Sequence, residues 1–151
     1  MNSVGKVIKL FISESKNQSR QGKLEIVVTP NGVEGDKFYN KDPMRAILLT
    51  STHSYTMALE KQISMPYGTL GENILIDFNP YTLTLGKVIK IGEVLLEIAQ
   101  NCTICNHLSV VDKSLPKLLK NDRGMFVKVV KSGIIKEGDK VYLVDKKSDP
   151  L

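Results

Sequence analysis

Tryptophan is absent from this chain of 151 residues, only two cysteines and two histidines occur, and no apolar run approaches the length of a membrane span. Each scarcity excludes something. A bilayer-spanning helix needs about 20 consecutive apolar residues, so no span is expected. The start, Met1-Asn2-Ser3-Val4-Gly5, lacks the basic and then apolar pattern of a secretory signal, which points to the cytoplasm. There is no internal repeat, no low-complexity tract and no linker rich in Pro, Gly or Ser, so a single domain is expected. An apolar fraction of 42% and a charged fraction of 25% sit near globular averages and speak against a disordered or fibrous class.

Acidic residues are also in deficit, 16 against 21 lysines and arginines, which gives a net charge of +5. Such a surplus suits either a nucleic acid or a small phosphate-bearing anion. The basic residues are scattered along strand-like and loop segments, with Lys146-Lys147 a pair in the tail and no aromatic-basic motif. A nucleic-acid partner is therefore not expected, and an anionic small molecule is.

What is present is mostly short β-strands. Val4 to Ile12 alternates apolar and polar residues, and Leu24 to Val28, Met44 to Leu49, Ile74 to Ile76, Leu83 to Leu85, Val88 to Ile91, Val94 to Ala99, Met125 to Val130 and Lys140 to Val144 read the same way. Strands at this spacing predict a barrel or a sandwich. Ser13 to Lys23 reads as an exposed hairpin or loop whose Lys16, Arg20 and Lys23 form a solvated face. Thr50-Ser51-Thr52 offers hydroxyls to cap a helix over His53 to Lys61, and Asp112 to Lys120 reads as a short helix with Pro116 in its first turn. The expectation is one mainly-β body with two or three short helices.

The two cysteines, Cys102 and Cys105, stand in a C-x-x-C arrangement where an apolar strand runs out into a loop. In a reducing compartment that spacing serves zinc, disulfide exchange or thiolate ligation of another soft metal, and two packed thiols without a role fit it as well. Zinc has few further ligands to draw on, His107 and His53. Three other stretches carry polar chemistry. Gly35-Asp36 lies in a loop with a Pro30-Asn31-Gly32 turn. Gly71-Glu72-Asn73 places an acid and an amide at a strand entrance, where they can read the edge of a heterocycle. Arg123-Gly124 sets a bidentate cation beside a residue that lets backbone approach closely, as phosphate recognition requires. Read alone, Glu72 caps a turn, Arg123 pairs with an acid, and Asp36 builds a turn.

Taken in order, Gly35-Asp36, Arg45, Gly71-Glu72-Asn73-Ile74, Leu83 to Gly92, Cys102 to Cys105, Arg123-Gly124 and Gly133 to Val141 resemble the MOSC family, the domain named for the C-terminal part of molybdenum cofactor sulfurases. The resemblance covers residues 5 to 144, with 145 to 151 left as a flexible tail. It implies a single-domain β-barrel-like fold, of the pyruvate kinase β-barrel kind, that binds a molybdenum cofactor, a molybdenum-pterin. In cofactor-binding relatives the second cysteine of the pair binds the metal, which is Cys105 here, with Cys102 as its neighbour. Asn73 and Glu72 match the polar turn near the pterin. Arg45, Arg123 and Asp36 become residues that hold its phosphate or shape the pocket.

The resemblance further implies reduction of an N-hydroxylated or N-oxide small molecule, with electrons from a separate flavin or iron-sulfur protein, since no ferredoxin-like domain is present. The rival implication is a carrier of the cofactor or of a persulfide, working with a partner in cofactor biosynthesis.

Overall fold

The computed structural model describes residues 2–14, 20–103 and 108–144. Eleven strands and three short helices occur among them: β1 (Gly5–Ile12), β2 (Gln21–Lys23), β3 (Glu25–Thr29), β4 (Gly32–Val33), β5 (Ile47–Ser51), α1 (Thr52–Glu60), β6 (Ile74–Ile76), β7 (Val88–Ile91), β8 (Val94–Asn101), α2 (Leu108–Val111), α3 (Leu115–Leu118), β9 (Met125–Lys131), β10 (Gly133–Lys136) and β11 (Lys140–Val144).

Seven strands close a barrel. Going round, β1 neighbours β6, then β5, β9, β8, β7 and β11, which returns to β1 through Gly5↔Val141 and Lys6↔Lys140. Closure is what rules out the sandwich, because it removes the sheet edges that two open sheets would leave. β2 hydrogen-bonds to β1 outside the ring, and β3, β4 and β10 form a small second sheet. Every barrel pairing is antiparallel except β5 with β6. Parallel neighbours need a crossover, and α1 supplies it. Ser51 caps that helix, its Oγ accepting the His53 amide at 3.0 Å.

Alternation along the strands sorts the side chains into two layers. Ile47, Leu49, Ile74, Ile76, Met125 and Val127 point into the barrel and join one apolar core. Their neighbours point outward. Leu75 meets Tyr55, Leu70, Leu108, Leu115 and Leu119 in a second core under the helices, whereas Leu48 and Phe126 line a cavity. The outer face of β5, β6 and β9 is therefore where the barrel is covered. No helix among the described residues is long and apolar enough to cross a membrane.

Three local expectations change. Leu83 to Leu85 is a turn, not a strand: Leu83 N donates to Pro80 O, and Leu85 is exposed. The strand expected from Met44 begins at Ile47, because Arg45 N donates to Asp42 O and closes a turn first. Ser13 and Arg20 do not belong to a solvated face. Ser13 is fully buried and the Arg20 side chain is 13% exposed, drawn in by Asp36.

Candidate functional site

A cavity of about 790 Å³ opens on the outer wall of the barrel. Its floor comes from strands: Leu48 on β5 faces Phe126 on β9 as a direct cross-strand pair. Asn73 enters from the residue before β6. Its Oδ1 accepts the Leu48 amide at 3.1 Å and its Nδ2 donates to Phe11 O at 3.3 Å. One carboxamide thus ties β5 and β1 to the start of β6. At 2% exposure it has one amide hydrogen and one lone pair left for a ligand.

Cys102 stands one residue past β8, its amide donating to Gly124 O at 2.9 Å, and it lines the cavity at 4% exposure. Cys105 and His107 lie outside the described residues. His53, the other nitrogen ligand considered for zinc, sits on α1 with Nε2 3.6 Å from Asp122 and does not line the cavity. Among the described residues no three His, Cys, Asp or Glu side chains converge to hold a metal ion.

Cations dominate the lining. Arg20, Lys37, Lys41, Arg45 and Arg123 face one carboxylate, Asp42. Arg123 is 4% exposed, and its Nη1 donates to Leu70 O at 2.6 Å. Gly124 beside it, at φ +152°, leaves little room for a side chain: a Cβ there would come within 2.9 Å of Leu48 Cδ1 and 3.3 Å of Thr50 Cγ2. Arg45 lays its guanidinium over the Phe126 ring, 5.3 Å from the centroid.

Two of the expected site residues stand behind the wall rather than in it. Asp36 Oδ1 accepts the Ser13 amide at 2.8 Å and Arg20 Nη1 at 3.2 Å, and Oδ2 accepts the Phe38 amide at 3.2 Å. It fixes the loop that carries Lys37 and Phe38. Burial pulls the Arg20 guanidinium below its usual pKa, with Asp36 and Glu72 opposing.

Glu72 is fully buried. Its Oε2 accepts the Tyr55 hydroxyl at 2.5 Å and the Gly68 amide at 3.3 Å, while Oε1 has no hydrogen-bond partner among the described residues. The Tyr55 oxygen in turn accepts the amides of Gly68 and Leu70 at 3.1 and 3.3 Å. The pair anchors residues 68–71, the wall against which Arg123 rests. Burial, and then the Glu72 charge, push the Tyr55 hydroxyl well above its ordinary pKa.

Sequence reasoning brought Arg45, Asn73, Cys102 and Arg123 to one place and missed Arg20, Phe126 and Tyr55. Phe126 had a signal. Met125-Phe126-Val127 is apolar on both faces, as only a doubly covered strand needs to be. Arg20 had none, since its partner Asp36 is sixteen residues on.

The closed barrel thus carries on its outer wall a basic cavity, floored by an aromatic and an aliphatic residue and edged by a thiol and an amide. The chain belongs to the MOSC domain family, whose sequence profile matches residues 36–142. That span includes Arg45, Glu72, Asn73, Cys102, Cys105 and Arg123, but not Arg20. In structure the chain is similar to the YuaD protein from Bacillus subtilis, at 16% identity over 92% of this chain and 94% of that one, with a TM-score of 0.75. It is similar to YiiM from Geobacillus stearothermophilus at 17% identity, covering 95% and 77% with a TM-score of 0.74. YiiM from Escherichia coli gives 21% identity, 95% and 72% coverage, and a TM-score of 0.67. No curated protein matches the chain in sequence.

Proposed function

We propose that this MOSC protein binds a molybdenum cofactor in the basic cavity and reduces N-hydroxylated or N-oxide compounds there. The observation that carries the reading is the cavity's composition: a thiol at the mouth of a cysteine-bearing loop, a buried amide and five cations around one space.

The residues present fit the cofactor. A pterin that brings its own dithiolene sulfurs to the metal asks the protein for a soft ligand and for cations to hold its phosphate. Cys105 supplies the thiolate by the family pattern, three residues after Cys102 in the sequence. Arg123 and Arg20 hold the phosphate, and Asn73 offers its remaining donor or acceptor to the ring edge. Asp36 and Glu72 act through others, Asp36 by orienting Arg20 and Glu72 by fixing Tyr55 and the wall at 68–71.

When bound, the cofactor supplies the two-electron chemistry. In the overall change the N–O bond breaks and the oxygen leaves as water, with two protons from solvent and two electrons from a separate flavin or iron-sulfur protein. The reducing cytoplasm, where both cysteines stay thiols, is the setting. A persulfide carrier needs an exposed thiol and no substrate pocket. The presence of a substrate-sized cavity favours the enzyme.

Metal and pterin analysis of protein purified after cofactor-replete, anaerobic expression is the test. Bound molybdenum is expected, with reduction of a hydroxylamino base by an artificial donor that Cys105→Ala abolishes and Cys102→Ala only lowers. A metal-free protein whose Cys105→Ala variant behaves like the parent overturns the proposal. Sulfane sulfur on Cys105 without turnover makes it a carrier instead.

A further inference from the structure

The mouth of the cavity holds charge that the protein does not neutralise. Lys41 and Arg45 are exposed and Lys37 is half-buried, all three within residues 37–45, where Asp42 is the only carboxylate. Asp42 is turned onto its own loop, Oδ1 accepting the Met44 amide at 2.9 Å. Among the described residues, neither lysine nor Arg45 forms an ion pair with a carboxylate. The inner cations differ: Arg20 is paired with Asp36, and Arg123 is buried against Leu70 O. Three cations and one carboxylate leave the mouth at about +2, the charge a phosphate monoester of about −1.5 to −2 would balance.

The mouth also holds a flat surface. Arg45 lies over Phe126, which its cross-strand neighbour Leu48 keeps in place. A guanidinium backed by a ring is a planar, weakly hydrated face on which a heterocycle stacks. A volume of about 790 Å³ lies towards the upper end of the 300–1,000 Å³ typical of ligand sites, enough for a second flat molecule beside the first.

The geometry points to a substrate subsite at the mouth for a phosphorylated planar heterocycle, its ring on Arg45 and its phosphate between Lys37 and Lys41. The substrate class is then nucleotides, in preference to free bases or nucleosides. This rests on the cofactor occupying the inner part of the cavity. The subsite adds no chemical step; it selects what reaches the inner site.

Titration calorimetry of the full chain with adenosine 5′-monophosphate and with adenosine, stand-ins for the amine product, tests it, with molybdenum measured on the same samples. The monophosphate is expected to bind about tenfold or more tightly than adenosine at ~50 mM salt, and less so at ~300 mM. Lys37→Ala combined with Lys41→Ala removes that advantage and leaves adenosine unaffected. Arg45→Lys, which keeps the charge and loses the plane, weakens both ligands by about fivefold or more. Circular dichroism confirms that each variant is folded.

Equal affinity for the two ligands, or an advantage that survives the double lysine variant, overturns the proposal. So does a monophosphate that binds metal-free protein but is excluded from molybdenum-loaded protein, since it would then have filled the cofactor's place. Molybdenum-loaded protein with no phosphate preference refutes the subsite and leaves the cofactor reading intact. Protein that never takes up molybdenum but shows the full pattern of preferences refutes the cofactor reading and keeps the phosphate site.

Discussion

Replacing Tyr55 with phenylalanine removes one oxygen, and the surroundings of that oxygen set the size of the effect. It donates to the Glu72 carboxylate at 2.5 Å and accepts the Gly68 and Leu70 amides. Losing a hydrogen bond to a buried charge costs about 1.5–3 kcal/mol, and an amide left without an acceptor about 1–3 kcal/mol. Gly68 N keeps Glu72 Oε2, so only Leu70 N is orphaned. Local relaxation takes back part of the sum, and about 3 kcal/mol is the expected loss, a large share of the roughly 5–15 kcal/mol that holds a domain together.

With no tryptophan to follow, far-UV circular dichroism in urea is the assay. At about 2 kcal/mol per molar urea the midpoint should fall by about 1.5 M. Adding Glu72→Gln should recover part of the loss, because a neutral amide tolerates the missing hydroxyl better than a carboxylate does. A midpoint shift below about 0.3 M at an unchanged slope, or strict additivity of the two substitutions, would refute the reasoning.

Alkali tests the same burial from another side. Burial first, and then the Glu72 charge, hold Tyr55 and Tyr81 above the ordinary tyrosine pKa, with Asp122 adding to the shift at Tyr81 and hydrogen bonds to Ser54 and Ser51 opposing it. The unfolded chain releases these protons near pH 10 and the folded chain does not. Their contribution is therefore complete below about pH 10 and lost as pH rises further, by up to about 1.4 kcal/mol per pH unit for each group. Tyrosinate absorbance from both is expected to appear together with unfolding, and its appearance in folded protein near pH 10 would contradict the assignment. Gly124→Ala should lower the melting temperature by about 3–10 °C, equivalent to roughly 1–3 kcal/mol of overpacking against Leu48 and Thr50. It should weaken anion binding as well, because Leu48 is part of the cavity floor.

The fold was largely legible because strand periodicity survives in a closed barrel. What periodicity could not say was whether the sheet closed, since Gly5↔Val141 joins the two ends of the sequence. It also misread Leu83 to Leu85, where Leu83 packs on the core and Leu85 is exposed, so a turn imitated an alternating strand. β10 was hidden because Ser132-Gly133 reads as a junction, yet Gly133 pairs with Val28. At the site, Asn73, Cys102 and Arg123 were legible as residue types at strand ends. Arg20 was not, because its burial depends on a carboxylate supplied by another loop. The Tyr55 ring packs in the core under the helices, so apolar patterning hides the work of its hydroxyl.

The floor of the cavity is also the wall of the barrel: Leu48 and Phe126 face the cavity while Leu49, Met125 and Val127 beside them fill the core. Sequence drift is therefore divided unevenly. On the proposed reading, floor positions answer to the ligand and, through their neighbours one residue away, to the fold. Residues 37–45 lie outside the barrel strands and are tied to the fold by Asp36 and by a few bonds such as Asn40 N to Asn31 O. A change of substrate would then be written first in that loop, with the barrel carried along unaltered.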